Sequence, residues 1–203
     1  MLLASNLSFK RSNRIIFENL NISLSPGNGI QIIGRNGIGK TTLIKILSSI
    51  LYPSTGEIFW KGKNIHKNLD KFFYDLSVIM DLNTGKKDLT IIENINFWKS
   101  LFSSSITEKE IDSILDLLNL QYLKNTKVKY LSFGEKRKLE ISRLVIERKT
   151  LWIFDEPFLG LDKNSMDIFI ETIKNHLKDN GMIIFASHHN IEVPNLNLID
   201  LEN

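Results

Sequence analysis

The octapeptide Gly34-Arg35-Asn36-Gly37-Ile38-Gly39-Lys40-Thr41 constrains this chain more than any other stretch. It has the form G-x-x-x-x-G-K-[ST] and follows the short apolar run Ile30–Ile33. After it come Leu43, Ile46, Leu47 and Ile50 at helical spacing. A strand, a glycine loop and a helix in that order turn backbone N–H groups inward at a helix N-terminus. Glycines allow the turn without Cβ clashes and the helix dipole adds positive potential, so the loop suits phosphate oxygens. Lys40 is placed to reach the β- and γ-phosphates of a nucleotide, and the Thr41 hydroxyl to ligate Mg2+. Gly34, Arg35, Asn36, Gly37, Ile38, Gly39 and Thr42 complete the candidate cradle.

A second local signal is Leu151-Trp152-Ile153-Phe154-Asp155-Glu156, an apolar strand that delivers two acids at its C-terminal end. In open α/β sheets that end is where ligands bind. Asp155 is suited to holding Mg2+, often through water, and Glu156 to polarising an attacking water.

Around these segments the chain alternates strands and helices. Residues 2–9 and 15–24 alternate apolar and polar, as half-buried antiparallel strands do. Pro26-Gly27-Asn28-Gly29 is a turn, and Gly56–Trp60 and Leu76–Met80 read as strands. From Thr90 to Arg148 the pattern is almost wholly helical: Ile91, Ile95, Trp98 and Phe102 share one face, and Ile111, Ile114, Leu115 and Leu118 another. The alternation returns with a helix at Lys163–Lys178 and strands at Met182–Ala186 and Leu196–Leu201. The expectation is an α/β fold with a largely parallel sheet, an N-terminal antiparallel β subdomain and a helical insert. It spans 1–203 as one domain, with the core at about 1–80 and 150–203 and the helical subdomain at about 85–148.

Composition narrows the function. The chain has 203 residues and no cysteine, which excludes disulfides, thiolate metal sites and a cysteine nucleophile. Its net charge is +3 with the charges interspersed, a weak basis for nucleic-acid binding. No stretch approaches the ~18–20 consecutive apolar residues of a membrane span. The start, MLLASNLSFKRSNR, lacks the charge order and apolar length of a signal peptide. A cytosolic protein that reaches a membrane through a partner is the expectation.

Five features in order, GRNGIGKT, LSFGE at Leu131–Glu135, LWIFDEP, the loop Leu159-Gly160-Leu161-Asp162, and His188 after MIIFAS, resemble ABC-type ATPases. The resemblance spans most of the chain and implies a P-loop NTPase core of ABC type. It implies that two copies pack head to tail, each ATP lying between one phosphate loop and the partner's LSFGE. Ser132 and the Gly134 backbone would then form a second anion-binding helix start, at a helix covering Glu135–Arg148. Asp162 matches the loop residue that crosses the dimer boundary, and His188 the histidine that touches the γ-phosphate. His66, His176 and His189 read as structural or exposed.

GEIFWKGK, LTIIENI, LWIFDEPFLGLD and GMIIFASHH narrow the likeness. Together they are similar to the family of ATP-binding subunits of bacterial cytochrome c maturation, the haem-exporter ATPases. That likeness implies ATP and Mg2+, a homodimer, a CcmB-like integral membrane permease and, indirectly, a haem chaperone. It implies a peripheral place on the cytoplasmic face of the inner membrane and no nucleic-acid partner. The sequence itself carries no haem-ligand motif. Docking to the permease would use the insert around Thr90–Leu120, with Phe97 and Trp98 as candidate anchors.

The chain departs from the ABC pattern at three places. The usual glutamine after the Leu76–Met80 strand is missing; Leu82 falls nearest and Asn83 is the only nearby amide. In LSFGE, Phe133 replaces a small residue and Glu135 replaces glutamine, where an acid suits the helix dipole as a cap. The usual aromatic under adenine is missing too. Arg11, two residues after Phe9, is nearest by position, either stacking on the base or standing in solvent at a hairpin. Two alternatives stay open: the ATPase of another short-chain exporter, and a nucleotide-gated dimerising module with little hydrolysis.

Overall fold

The computed structural model describes residues 1–80, 85–189 and 191–202. N-terminal alternation makes two long strands, β1 (Leu2–Arg11) and β2 (Arg14–Leu24), which pair antiparallel around a tight hairpin at Ser12-Asn13. Leu2, Ala4 and Leu7 of β1 and Phe17, Ile22 and Leu24 of β2 face the core. Next come β3 (Gly29–Ile33) and α1 (Lys40–Leu47), which buries Leu43, Ile44, Ile46 and Leu47. β4 (Thr55–Trp60) and β5 (Lys63–Asn64) complete a four-stranded antiparallel sheet in the order β2-β1-β4-β5.

The chain continues through α2 (Leu69–Asp75), β6 (Leu76–Ile79), α3 (Ile91–Leu101), α4 (Glu108–Leu117) and α5 (Phe133–Glu147). It ends with β7 (Leu151–Asp155), α6 (Lys163–Lys178), β8 (Met182–Ala186) and β9 (Leu196–Asp200). A second sheet runs β6-β7-β8-β3-β9. In it β3 is parallel to β8 and β9, and β7 is parallel to β8. All five residues of β7 and of β8 are buried, as expected of inner parallel strands. This parallel sheet puts the ends of β3, β7 and β8 together, and the candidate site is built on those ends.

By internal contacts the chain forms two compact units. The first comprises residues 1–78, 149–157 and 173–203, and the second 79–148 and 158–172. In the second unit the helices are shorter than the sequence pattern suggests. α3, α4 and α5 each start with a capping box, Thr90 with Glu93, Thr107 with Glu110, and Ser132 with Glu135. The stretches between them hold short 3-10 turns at Gln121–Leu123 and Val128–Tyr130, where Val128 and the flanking Leu120 and Leu131 are buried. Trp98 is also core, at 3% exposure, so it cannot serve as a docking anchor. Phe97 is partly exposed and carries the Lys86 ammonium 3.9 Å over its ring. Leu82 and Asn83 lie outside the described residues.

In the first unit His176 is structural. Its ring stacks on Trp152, centroids 3.7 Å apart, and covers Gly181 so closely that a Cβ there would collide with it. Burial pushes its imidazole down to about 4. Below its unfolded value of about 6.5 the unfolded chain gains a proton that the native ring refuses. Stability therefore falls as pH drops from about 6.5 to about 4, by up to roughly 3 kcal/mol at the full pKa difference. Urea unfolding at pH 7 and pH 4.5 should show this loss, and His176→Phe should flatten it.

Candidate functional site

β3 ends at Ile33, and the loop that follows turns through Gly34 at φ 137° and Gly39 at φ 126°, backbone that only glycine adopts without strain. Gly39 is also pressed by the Ile16 side chain, so a Cβ there would have no room. Glycine is thus required at this position twice over. α1 starts immediately after, directing its free N–H groups into the loop.

Lys40, the first residue of α1, is only 7% exposed. Its ammonium donates to the Gly34 carbonyl at 2.7 Å and the Arg35 carbonyl at 3.3 Å, and lies 3.0 Å from His188 Nε2. His188 follows β8. Its Nε2 is also 2.7 Å from Asn36 Oδ1 and 3.4 Å from Glu156 Oε1. One ring nitrogen can be a single donor or a single acceptor, so these three contacts are alternatives. The lysine, the loop amide and the carboxylate compete for one histidine.

At the end of β7, Asp155 is 3% exposed. Glu156 holds φ 44°, a left-handed backbone uncommon for a residue with a side chain, and its N–H donates to the Ala186 carbonyl at 3.0 Å. Strain of this kind costs of order 1–3 kcal/mol and persists where the surroundings impose it. Here it accompanies the approach of the carboxylate to His188.

An open cavity of about 380 Å³ joins these parts. Asn36, Gly37, Gly39, Lys40, Thr41 and Thr42 line one side, Asp155 and Glu156 stand at the strand end, and Arg11, Arg14 and Ile16 come from the hairpin. A larger cavity of about 620 Å³ beside Trp60 and Phe72 has no glycine loop, and its Asp75 already accepts from Trp60 Nε1 and Lys61, each at 2.8 Å.

Four residues of this site went unread in the sequence. Arg14 and Ile16 reach the cavity through the hairpin register. Gln31, 3% exposed in β3, donates to the Ser187 and His189 carbonyls at 3.3 and 2.8 Å, holding the segment that carries His188. A buried amide in an otherwise apolar strand was the available signal. Glu202 accepts from the Arg35 N–H at 2.5 Å, fixing the start of the loop.

The other candidates, Ser132, Gly134 and Asp162, lie in the second unit. α5 begins at Phe133, two residues earlier than the sequence pattern suggests. Ser132 Oγ accepts the Glu135 N–H at 3.2 Å, and the Glu135 carboxylate accepts the Ser132 N–H at 2.7 Å, so Glu135 is a cap. Gly134 lies against the Gly160 carbonyl, where a Cβ would approach to 2.7 Å. Asp162 accepts from both the N–H and the hydroxyl of Ser165 at 2.8 Å and pairs with Lys138 at 3.0 Å. The Ser165 N–H above all, then Lys138, holds this carboxyl down at about 2. Asp162→Ala removes a helix cap and should cost about 1 kcal/mol in denaturant unfolding.

Comparison with known proteins gives concordant likenesses. The sequence pattern of the ABC transporter family matches residues 17–159. A cytochrome c biogenesis ATP-binding export protein CcmA of Dechloromonas aromatica is 38% identical over 194 residues, 96% of this chain and 95% of that protein. The protein of the same name from Reclinomonas americana is 39% identical over 193 residues, covering 93% and 85%. A Pyrococcus furiosus chain described as an ABC transporter ATP-binding protein superposes with a TM-score of 0.85, covering 99% of this chain and 97% of that one. At 24% identity that last likeness speaks for the fold alone.

Proposed function

The chain belongs to the ABC transporter family, and on that premise we propose that it is the ATP-hydrolysing subunit of a membrane complex for cytochrome c biogenesis. The assignment to biogenesis rests on the relatives that carry that name. The ATPase reading rests on one observation: Lys40, Thr41, Asp155 and Glu156 converge on a single cavity, with His188 bonded to Lys40.

The donor set fits Mg2+. The Thr41 and Asp155 side chains carry hard oxygens and line the same cavity, and this ion is usually held by one or two carboxylates plus substrate phosphates. Bound there, it would neutralise charge on the phosphates. The chain's own groups do the rest. N–H groups at the start of α1 bind phosphate oxygens, and Lys40 turns its ammonium from the loop carbonyls to the β- and γ-phosphates. Glu156 accepts a proton from the attacking water, and His188 steadies the γ-phosphate.

In this reading two copies assemble head to tail. Ser132 and the Gly134 N–H of one close over the nucleotide of the other, and Asp162 stands at the shared boundary. A CcmB-like permease couples the pair to the cytoplasmic face of the membrane, and a haem chaperone is served indirectly. No helix among the described residues is long and apolar enough to cross a membrane. The test is gel filtration of Glu156→Gln. A dimer is expected with ATP, a monomer without it, and no dimer when Ser132→Arg is added at this exposed cap. A monomer at saturating ATP contradicts the head-to-tail reading.

A further inference from the structure

Gln31 is out of character with its strand. β3 is an inner strand of the parallel sheet, between β8 and β9, and its Ile30 and Ile32 are buried as such a strand requires. Gln31 is buried with them, although an apolar side chain there would serve the sheet without the cost of desolvating an amide. The amide works beyond the sheet. Gln31 lies opposite Phe185, and the pairing of β3 with β8 ends at Ile32 opposite Ala186. From there its Nε2 reaches forward to the Ser187 carbonyl at 3.3 Å and the His189 carbonyl at 2.8 Å. Carbonyls only accept, so the donor end of the amide must face them, and its two N–H groups match the two acceptors.

The residue between those acceptors is His188. Ser187 Oγ accepts the His189 N–H at 3.0 Å, which closes the turn on itself. Ser187 is buried, whereas the His188 side chain is half exposed, so a buried and doubly tied turn carries an open ring. The Nε2 of that ring has Lys40, Asn36 and Glu156 as alternative partners.

We infer that Gln31 is a positioning residue that makes the His188 turn a fixed pivot. The imidazole then changes partners, the γ-phosphate of a bound nucleotide among them, by rotating its side chain while the backbone stays in place. Gln31 is not one of the residues that line the cavity, and it acts only through His188. The inference rests on the nucleotide reading of the site and on the part His188 plays in it.

The test is a double-mutant cycle on the full chain with Mg2+, using Gln31→Met, His188→Ala and the two combined. Methionine is unbranched and suits an apolar strand, and it removes both donors. Single-turnover phosphate release is read beside the Kd for ATP, and urea unfolding confirms that each variant is folded. Misplacing a group by about 1 Å can cost ~10²-fold in rate, so Gln31→Met should slow hydrolysis by about 10–10²-fold. Its Kd for ATP should stay within about twofold, and in the His188→Ala background it should change the residual rate by less than about twofold. A glutamine with a merely structural role would slow both backgrounds alike, and that result overturns the inference. Full-speed hydrolysis in Gln31→Met overturns it as well. If Gln31→Met fails to fold, Gln31→Asn makes the same comparison with the same expected pattern, since it keeps an amide too short to span both carbonyls. A separate outcome strikes the underlying reading: if the unmodified chain and His188→Ala release phosphate equally, His188 has no part in hydrolysis and the inference falls with it.

Discussion

Replacing Glu156 by glutamine lowers steady-state ATP hydrolysis by ~10²–10⁴-fold, or roughly 3–5 kcal/mol of barrier, and leaves nucleotide binding intact. The substitution keeps the shape of the side chain and removes only its capacity to take a proton. Glu156 is singled out by its backbone as well as by its position. Its left-handed φ of 44° and its N–H bond to Ala186 belong to a residue held where the end of the parallel sheet needs it. Its carboxylate is 3.4 Å from His188, itself in contact with Lys40, so acid, histidine and lysine meet at one place. Phosphate release assayed beside nucleotide binding separates the roles. Unchanged hydrolysis in Glu156→Gln removes this residue as the base.

Lys40→Ala has a different signature. The ammonium donates to two carbonyls of its own loop and lies 3.0 Å from the His188 ring. Without it the loop keeps its N–H groups and loses its one buried cation. A charged clamp on transferring phosphoryl groups is worth ~10²–10³ in rate. The expected loss in kcat/KM is of that size and, unlike Glu156→Gln, it includes weaker nucleotide binding. Titration with a fluorescent nucleotide distinguishes them. Full-strength binding in Lys40→Ala would place the phosphates elsewhere.

Much of this was legible in the sequence because the deciding chemistry is local. The glycine loop and the acid pair are contiguous, and their neighbours announce a strand before each. Lys163–Lys178 and Met182–Ala186 are observed with the bounds that periodicity and apolar runs suggest. Three kinds of feature were hidden. The seven-residue α2 is too short for periodicity to show, and it buries only Phe72. The second unit is less helical than expected, because Leu120, Val128 and Leu131 are buried within or beside short 3-10 turns between the α-helices. Gln31 acts on Ser187 and His189, 156 and 158 residues away, through sheet register that no local pattern reports. Arg14 and Ile16 are likewise placed by the hairpin pairing, whereas Arg11 was found by position. Trp98 shows the opposite failure, since an aromatic at helical spacing served the core and not an interface.

The reading of an ATPase that drives a membrane complex is tested most directly by purifying tagged Glu156→Gln from native membranes with and without ATP. The account predicts that an integral membrane permease and haem-handling proteins are retained with the chain when ATP is present. A dimer of this chain recovered with ATP but with no integral membrane protein would contradict it.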